Sequence, residues 1–181
     1  MLRVAGISTA GNAGGRDARR LLDQLYREQL GTPMPKLLRH GRGKPYFESG
    51  GLHCSIADTR FMAFCALSDF SLGLDAEALD RPVRQGLPEK VLSPQEYRAW
   101  QQAQRPDRFF LSLWTLKEAC VKYTGEGLQG FPSHLSFDLS GPRPVLEGSG
   151  LYFALQNCAG HVVALCAQQP IDLRVELRRF V

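Results

Sequence analysis

The sequence predicts an α+β fold in a single unit, because an amphipathic helix followed by short strands occurs twice along the chain and no low-complexity linker separates the two rounds. Leu21, Leu22, Leu25 and Tyr26 recur at helical spacing with charges between them, the mark of a helix over residues 16–30. The second round opens with the capping signal Ser93-Pro94-Gln95-Glu96 and ends its long helix at Gly125. Halves at residues 1–80 and 81–181 follow, with the natural site in the cleft between them.

Gly31 and Pro33 stop the first helix. The Gly-rich lead-in Gly11–Arg16 lacks the G-K-[ST] ending of a phosphate loop and is expected only to introduce that helix. After the basic turn at residues 39–45, apolar stretches at 52–57, 61–67 and 71–77 predict three strands of a small antiparallel sheet. Ser93 as N-cap, Pro94 at the first helical position and Glu96 as the reciprocal cap predict a helix running toward Gln104. Asp107 is expected to cap a longer helix over 108–123, with Phe109, Leu113, Leu116, Cys120 and Tyr123 on one apolar stripe. Strands are then expected at 135–139, 151–156, 162–167 and 173–177, the last an edge strand guarded by Arg174, Arg178 and Arg179.

Composition narrows the function classes. Hydrophobic residues make up 44% and charged residues 22% of 181, which suits a folded domain with a real core and excludes a disordered chain. Residues 1–15 hold neither a basic n-region nor a continuous apolar run, so no membrane span is expected and a cytoplasmic location is. Five cysteines, an odd number without a C-x-x-C pair, are expected as reduced core thiols. A net charge of +4 favours an anionic small molecule or an acidic protein partner; with no interleaving of aromatic and basic residues, a nucleic-acid partner is not expected.

The chemistry-bearing residues lie near the junction of the two rounds. In Gly73-Leu74-Asp75-Ala76-Glu77 the period of a strand puts both carboxylates on one face, about 7 Å apart, a spacing that suits a shared cation. Mg²⁺ prefers hard oxygen ligands and is commonly held by one or two carboxylates while substrate phosphates complete its shell. An isolated D-x-E is more often a solvated strand edge. The long helix tips the balance, because Trp114, Glu118 and Lys122 at i, i+4 and i+8 share a face distinct from the apolar stripe. Taken alone, Glu118 and Lys122 would be an ordinary surface pair worth about 0.3–0.5 kcal/mol.

Gly73-Leu74-Asp75-Ala76-Glu77, followed about forty residues later by Trp114-Thr115-Leu116-Lys117-Glu118-Ala119-Cys120-Val121-Lys122 and then Gly125-Glu126-Gly127-Leu128, resembles the paired signature of the 4′-phosphopantetheinyl transferase superfamily, in its surfactin-synthetase-activating branch. Gly43-Lys44-Pro45 is similar to the family's G-K-P turn, so the resemblance spans residues 42–137. It implies a pseudo-twofold monomer, each half a helix with a small antiparallel sheet, that moves the phosphopantetheine arm of coenzyme A to a serine of an acidic acyl or peptidyl carrier protein. By the same resemblance Asp75, Glu77 and Glu118 are Mg²⁺ ligands and Glu118 is the base for the serine. Lys117 and Lys122 contact the phosphates, Lys122 at the departing 3′,5′-ADP, while Lys44 and Pro45 line the adenine end.

One departure concerns the strand before the acidic motif, where the family's S-H-S carries a histidine for the 3′-phosphate. Here His53-Cys54-Ser55-Ile56-Ala57 aligns Ser55 with the coenzyme A site but puts Ile56 at the histidine's place. His53, three positions earlier, faces the other side of a strand and is no substitute. Arg42, Arg39 and Arg60 are the candidate replacements, Arg42 first because it adjoins the G-K-P turn, and arginine's planar fork suits phosphate. The alternative that Ile56 raises is a catalytically weakened member that keeps only the carrier-protein surface.

Overall fold

The computed structural model describes residues 1–9, 14–39, 41, 43–125 and 132–179. Its elements in chain order are β1 (Leu2–Ser8), α1 (Gly14–Leu30), β2 (Leu37–Arg39), β3 (Pro45–Phe47), β4 (His53–Asp58), β5 (Met62–Ser68), β6 (Leu72–Ala78), α2 (Leu87–Val91), α3 (Pro94–Gln101), α4 (Pro106–Thr124), β7 (Phe137–Asp138), β8 (Val145–Leu146), β9 (Tyr152–Cys158), β10 (His161–Ala167) and β11 (Val175–Arg178). Gly11, Asn12, Ala13, Arg42 and the motif residues Glu126, Gly127 and Leu128 lie outside the described residues.

Helix α1 forms where the 3.6-residue period was read, and Leu21, Leu22, Leu25 and Tyr26 are all buried against Ala5, Ile7, Ala63 and Cys65. Burial of each such side chain contributes about 1.5–3 kcal/mol. The exposed Asp23–Arg27 pair on its outer face, at 2.8 Å, contributes about 0.3–0.5 kcal/mol, so burial fixes which way the helix faces. Beneath it lies a sheet of order β11-β1-β5-β4; a second sheet runs β6-β10-β9, and β2-β3 and β7-β8 form small ribbons. Val4, Phe64 and Ala66 of the first sheet pack on Leu72, Leu74, Ala76 and Leu165 of the second. Helix α4 covers the far face of the second sheet through Leu113, Leu116 and Cys120 against Val162, Ala164 and Cys166. The result is four layers, helix on sheet on sheet on helix, which is the expected α+β architecture.

The halves interlock more than a boundary at residue 80 implies. Strand β6, expected beside β4 and β5, instead pairs antiparallel with β10, Asp75 opposite Ala164. Strand β11 crosses back to lie parallel to β1, Val175 opposite Val4. Its charged guard is there: Arg178 and Arg3 both reach Glu28 of α1 and Glu176. Among the described residues, the only parallel pairing in either sheet thus joins two segments from opposite ends of the chain.

The capping box of α3 forms as read, with Ser93 Oγ accepting from Glu96 N at 3.2 Å and Ser93 N donating to Glu96 at 2.7 Å. Helix α4 starts earlier than expected. Arg105 is its N-cap and Asp107 sits in the first turn without a side-chain cap bond, because Pro106 fits the first helical position with its fixed φ and no N–H to satisfy. At the other end Gly125 takes φ 74°, a left-handed conformation open to glycine, and its N–H closes on Val121 O at 2.9 Å. All five cysteines are free thiols. Among the described residues no helix is long and apolar enough to cross a membrane.

Candidate active site

Alternation along β6 sets the site. Leu72, Leu74 and Ala76 enter the core between the sheets, which turns Gly73, Asp75 and Glu77 toward α4. At Gly73 the helix comes so close that a Cβ would lie 2.1 Å from Ala119 O and 2.4 Å from Tyr123 N. Glycine is therefore required for β6 and α4 to meet, a constraint the sequence motif contained but did not explain.

Along this seam strand and helix run in opposite senses, and the two strand carboxylates meet helix side chains about two turns apart. Lys122 Nζ donates to Asp75 Oδ1 at 2.7 Å and to the Ile56 carbonyl at 3.1 Å. Trp114 Nε1 donates to Glu77 Oε1 at 2.9 Å, and Arg81, four residues after Glu77, pairs with the same oxygen. Arg81 Cζ stands 5.8 Å from the centroid of the Trp114 ring. Glu118 sits among these groups, and its Oε1 and Asp75 Oδ2 are both buried without a hydrogen-bond partner.

Two buried orphan carboxylate oxygens cost free energy unless something neutralises them. Burial pushes the Asp75 carboxyl up to about 6, Lys122 opposing the rise. Burial, and after it the charge on Asp75, pushes Glu118 up to about 7. Hard oxygen donors with open lone pairs fit a divalent cation such as Mg²⁺. Among the described residues no three such side chains converge into a ready-made cage. Glu77 Oε1 is turned to Trp114 and Arg81, and Asp75 Oδ1 to Lys122.

Two cavities flank the cluster. One of about 340 Å³ is lined by Arg39, Lys44, Pro45, Ile56, Glu118 and Lys122. The other, about 920 Å³, is lined by Arg60, Phe61, Glu77, Arg81, Arg108 and His161. Within the first, Lys44 reaches Tyr123 O at 2.5 Å and Ser71 Oγ at 3.3 Å, so its amine also holds the C-terminal turn of α4. Burial lowers the pKa of that amine.

The structure brings together Asp75, Glu77, Glu118 and Lys122, with Lys44 and Pro45 on the wall of the adjoining cavity. Two expected residues have other work. Lys117 is a correction: its side chain is 0% exposed and is held by Glu96 at 2.7 Å and by the carbonyls of Val91, Pro132 and Leu135. An amine so enclosed has no route to a phosphate in either cavity. Ser55 borders the cavity, but its hydroxyl is buried and bridges the two sheets, accepting from Leu74 N at 2.9 Å and donating to Leu74 O at 3.5 Å. Of the candidate replacements for the missing histidine, Arg60 stands over the Phe61 ring in the other cavity, whereas Arg39 shares the cavity of Ile56. His53 is exposed at the start of β4.

Arg81 was missed by sequence reasoning. Its spacing of four from Glu77 was the available signal, but it reads as a helix pairing and Glu77 was read on a strand.

A seam of strand carboxylates and a helix lysine thus lies between two cavities. A family model for the 4′-phosphopantetheinyl transferase superfamily matches residues 71–166, more than half of the chain, and the chain belongs to that superfamily. Among curated relatives, 4′-phosphopantetheinyl transferase psf-1 of Bacillus pumilus is 30% identical over 137 residues, covering 67% of this chain and 58% of that protein. The 4′-phosphopantetheinyl transferase of Bacillus subtilis is 32% identical over 90 residues, covering 48% of this chain and 39% of that protein. The chain thus matches less than two thirds of the length of either relative. Among solved structures, holo-(acyl-carrier-protein) synthase of Thermotoga maritima aligns with a TM-score of 0.46 at 26% identity, over 54% of this chain and 61% of that one.

Proposed function

We propose that the chain transfers the 4′-phosphopantetheine group of coenzyme A to a serine of an apo acyl or peptidyl carrier protein and releases 3′,5′-ADP, working as a cytoplasmic monomer. The observation that carries this reading is the meeting of Asp75, Glu77, Glu118 and Lys122 between two cavities, inside the stretch that matches the family. Asp75, Glu77 and Glu118 would hold Mg²⁺, which supplies neutralisation of pyrophosphate charge when bound.

Coenzyme A would lie with its adenine end beside Lys44 and Pro45 and its pyrophosphate toward Lys122, all of which line the smaller cavity. The acceptor serine enters from the side of the larger cavity, which Glu77 lines. Glu118, which lines the smaller cavity, accepts the serine proton directly or through a water. The serine Oγ–P bond forms as the P–O bond of the pyrophosphate breaks, and the electron pair leaves on 3′,5′-ADP. Lys122 meets the charge that grows on the departing phosphate, a contact strongest in the transition state. Net charge +4 suits an acidic carrier protein.

The test is intact-mass analysis of apo carrier proteins from fatty-acid, polyketide and peptide synthesis after incubation with the chain, coenzyme A and Mg²⁺. A gain of one phosphopantetheine is expected, abolished by Asp75→Ala and by Glu118→Ala. Labelled coenzyme A that binds without any mass gain would favour the non-catalytic alternative raised by Ile56. Transfer at wild-type rate by both variants would overturn the assignment of the site.

A further inference from the structure

The three carboxylates at the seam are not equally partnered. Asp75 Oδ2 and Glu118 Oε1 have no hydrogen-bond partner, whereas Glu77 Oε1 is shared by two donors, the Trp114 indole and the Arg81 guanidinium. Those donors differ in kind. The indole is neutral and fixed in the packing of α4, stacked near Phe110 with ring centroids 6.2 Å apart. The guanidinium is a full charge at the position that a second cation near Glu77 would contest, and its side chain is 41% exposed.

We propose that Arg81 is a displaceable counter-cation, holding Glu77 in a charge-paired arrangement from which a divalent metal ion must release it, so that this residue sets the metal affinity of the site. The inference rests on the reading of Asp75, Glu77 and Glu118 as a metal site. It accounts for the absence of a ready-made cage among the described residues, since Glu77 is drawn toward Arg81. Asp75 and Glu118 each keep one buried oxygen with no hydrogen-bond partner, and Glu77 becomes available to the same cation when the guanidinium leaves. Release is easy. A pair this exposed is held by only about twofold to fivefold over its open state. Once free, the guanidinium has the Trp114 face and the 920 Å³ cavity, which it already lines, to occupy.

Lys122 stands toward Asp75 Oδ1 as Arg81 does toward Glu77, but it is also tied to the Ile56 carbonyl. Arg81 is the cleaner probe because its side chain touches only Glu77 and the ring of Trp114 among the contacts described.

The experiment measures Mn²⁺ binding to the chain without coenzyme A, from the electron paramagnetic resonance signal of free Mn²⁺. The variants are Arg81→Met, Arg81→Lys, Arg108→Met and Asp75→Asn. Arg81→Met keeps an apolar stem for the Trp114 face and removes the charge, so it is expected to bind Mn²⁺ about threefold tighter than wild type. Arg81→Lys should move the affinity back toward wild type. Arg108 lines the same cavity without touching the carboxylates, so Arg108→Met reports the general loss of one positive charge and should have a smaller effect. Unchanged or weaker binding by Arg81→Met, or equal tightening by Arg108→Met, overturns the proposal. Asp75→Asn should lose the site; wild-type binding by that variant overturns the metal reading itself and the proposal with it.

Discussion

Trp114 Nε1 donates to Glu77 Oε1 at 2.9 Å, so the first half of α4 is latched to the end of β6 at the mouth of the larger cavity. The tryptophan was visible in the sequence as a member of the Glu118–Lys122 face, and the structure gives it a task distinct from packing. A neutral donor orients a carboxylate without competing for its charge, which is the opposite of what Arg81 does to the same oxygen.

Trp114→Phe therefore separates orientation from burial. The phenyl ring keeps an aromatic face for Phe110 and Arg81 and loses the N–H together with part of the indole ring. On the proposed metal reading of Glu77, transfer should fall about tenfold to a hundredfold, the usual cost of removing the orienting partner of a metal ligand, with thermal stability changed by a few degrees at most. Full activity in the steady-state assay would show that Glu77 needs no such latch.

Gly73→Ala tests the close approach of strand and helix. Backbone atoms of Ala119 and Tyr123 crowd the added Cβ, and backbone cannot swing aside as a side-chain tip can. A cost of about 3 kcal/mol is expected by urea denaturation, together with loss of transfer, because α4 must move off β6 and take Glu118 and Lys122 with it. Wild-type stability would mean that the seam is looser than the distances at Gly73 require.

How much of this was legible depends on how local each signal is. Asp75 and Glu77 on one face, and Trp114, Glu118 and Lys122 on another, follow from the periods of a single strand and a single helix, and both faces form as read. That the two faces meet was visible only through the resemblance. Strand β1 went unread, and so did the return of β11 to it, because a parallel pair joining Val4 to Val175 leaves no mark in any local window. Strand β6 was recognised as a strand but assigned to the wrong sheet, since period two identifies faces and not neighbours. Strands β2 and β3, of three residues each, are too short for periodicity to register. Asp107 was preferred as a cap on side-chain preference, although Pro106 beside it already marked the first helical position.

The buried pair of Lys117 and Glu96 yields a third prediction. Their side chains are 0% and 1% exposed, and Glu96 also accepts from Ser93 N at 2.7 Å and from Phe137 N at 2.8 Å. One carboxylate thus closes a capping box, holds the start of β7 and neutralises the lysine of α4. Lys117→Met should cost about 3–5 kcal/mol because it leaves that carboxylate buried without its counter-charge. Adding Glu96→Leu should cost less than the sum of the two single changes. Folded Lys117→Met should keep its KM for coenzyme A; a large rise in KM alone would return Lys117 to the phosphate-binding role that its burial argues against.

The last prediction concerns the wall around Ile56, where the chain departs from the pattern it otherwise resembles. An isoleucine offers a 3′-phosphate neither charge nor a donor, so any preference for coenzyme A over dephospho-coenzyme A must come from a cation that shares its cavity. Among the described residues, Arg60 faces the other cavity, Lys44 spends its amine on Tyr123 O and Ser71, and Lys122 is held by Asp75 and the Ile56 carbonyl; Arg42 lies outside them. Arg39 borders the same cavity as Ile56, with one guanidinium nitrogen on Gly43 O at 2.7 Å. Four of the five N–H donors of a guanidinium lie beyond that bond, enough for a phosphate. A charge-assisted contact of this kind is worth about 1.5–3 kcal/mol, or roughly tenfold to a hundredfold in affinity. Arg39→Ala should therefore erase most of the preference for coenzyme A in competition binding with the dephospho form. Ile56→His in that background should restore part of it, because the histidine would project from β4 into the same cavity. If Arg39→Ala leaves the preference intact, Arg39 is not the group that stands in for the missing histidine. If wild type shows no preference at all, the chain binds its donor without holding the 3′-phosphate, and Ile56→His alone should create the discrimination.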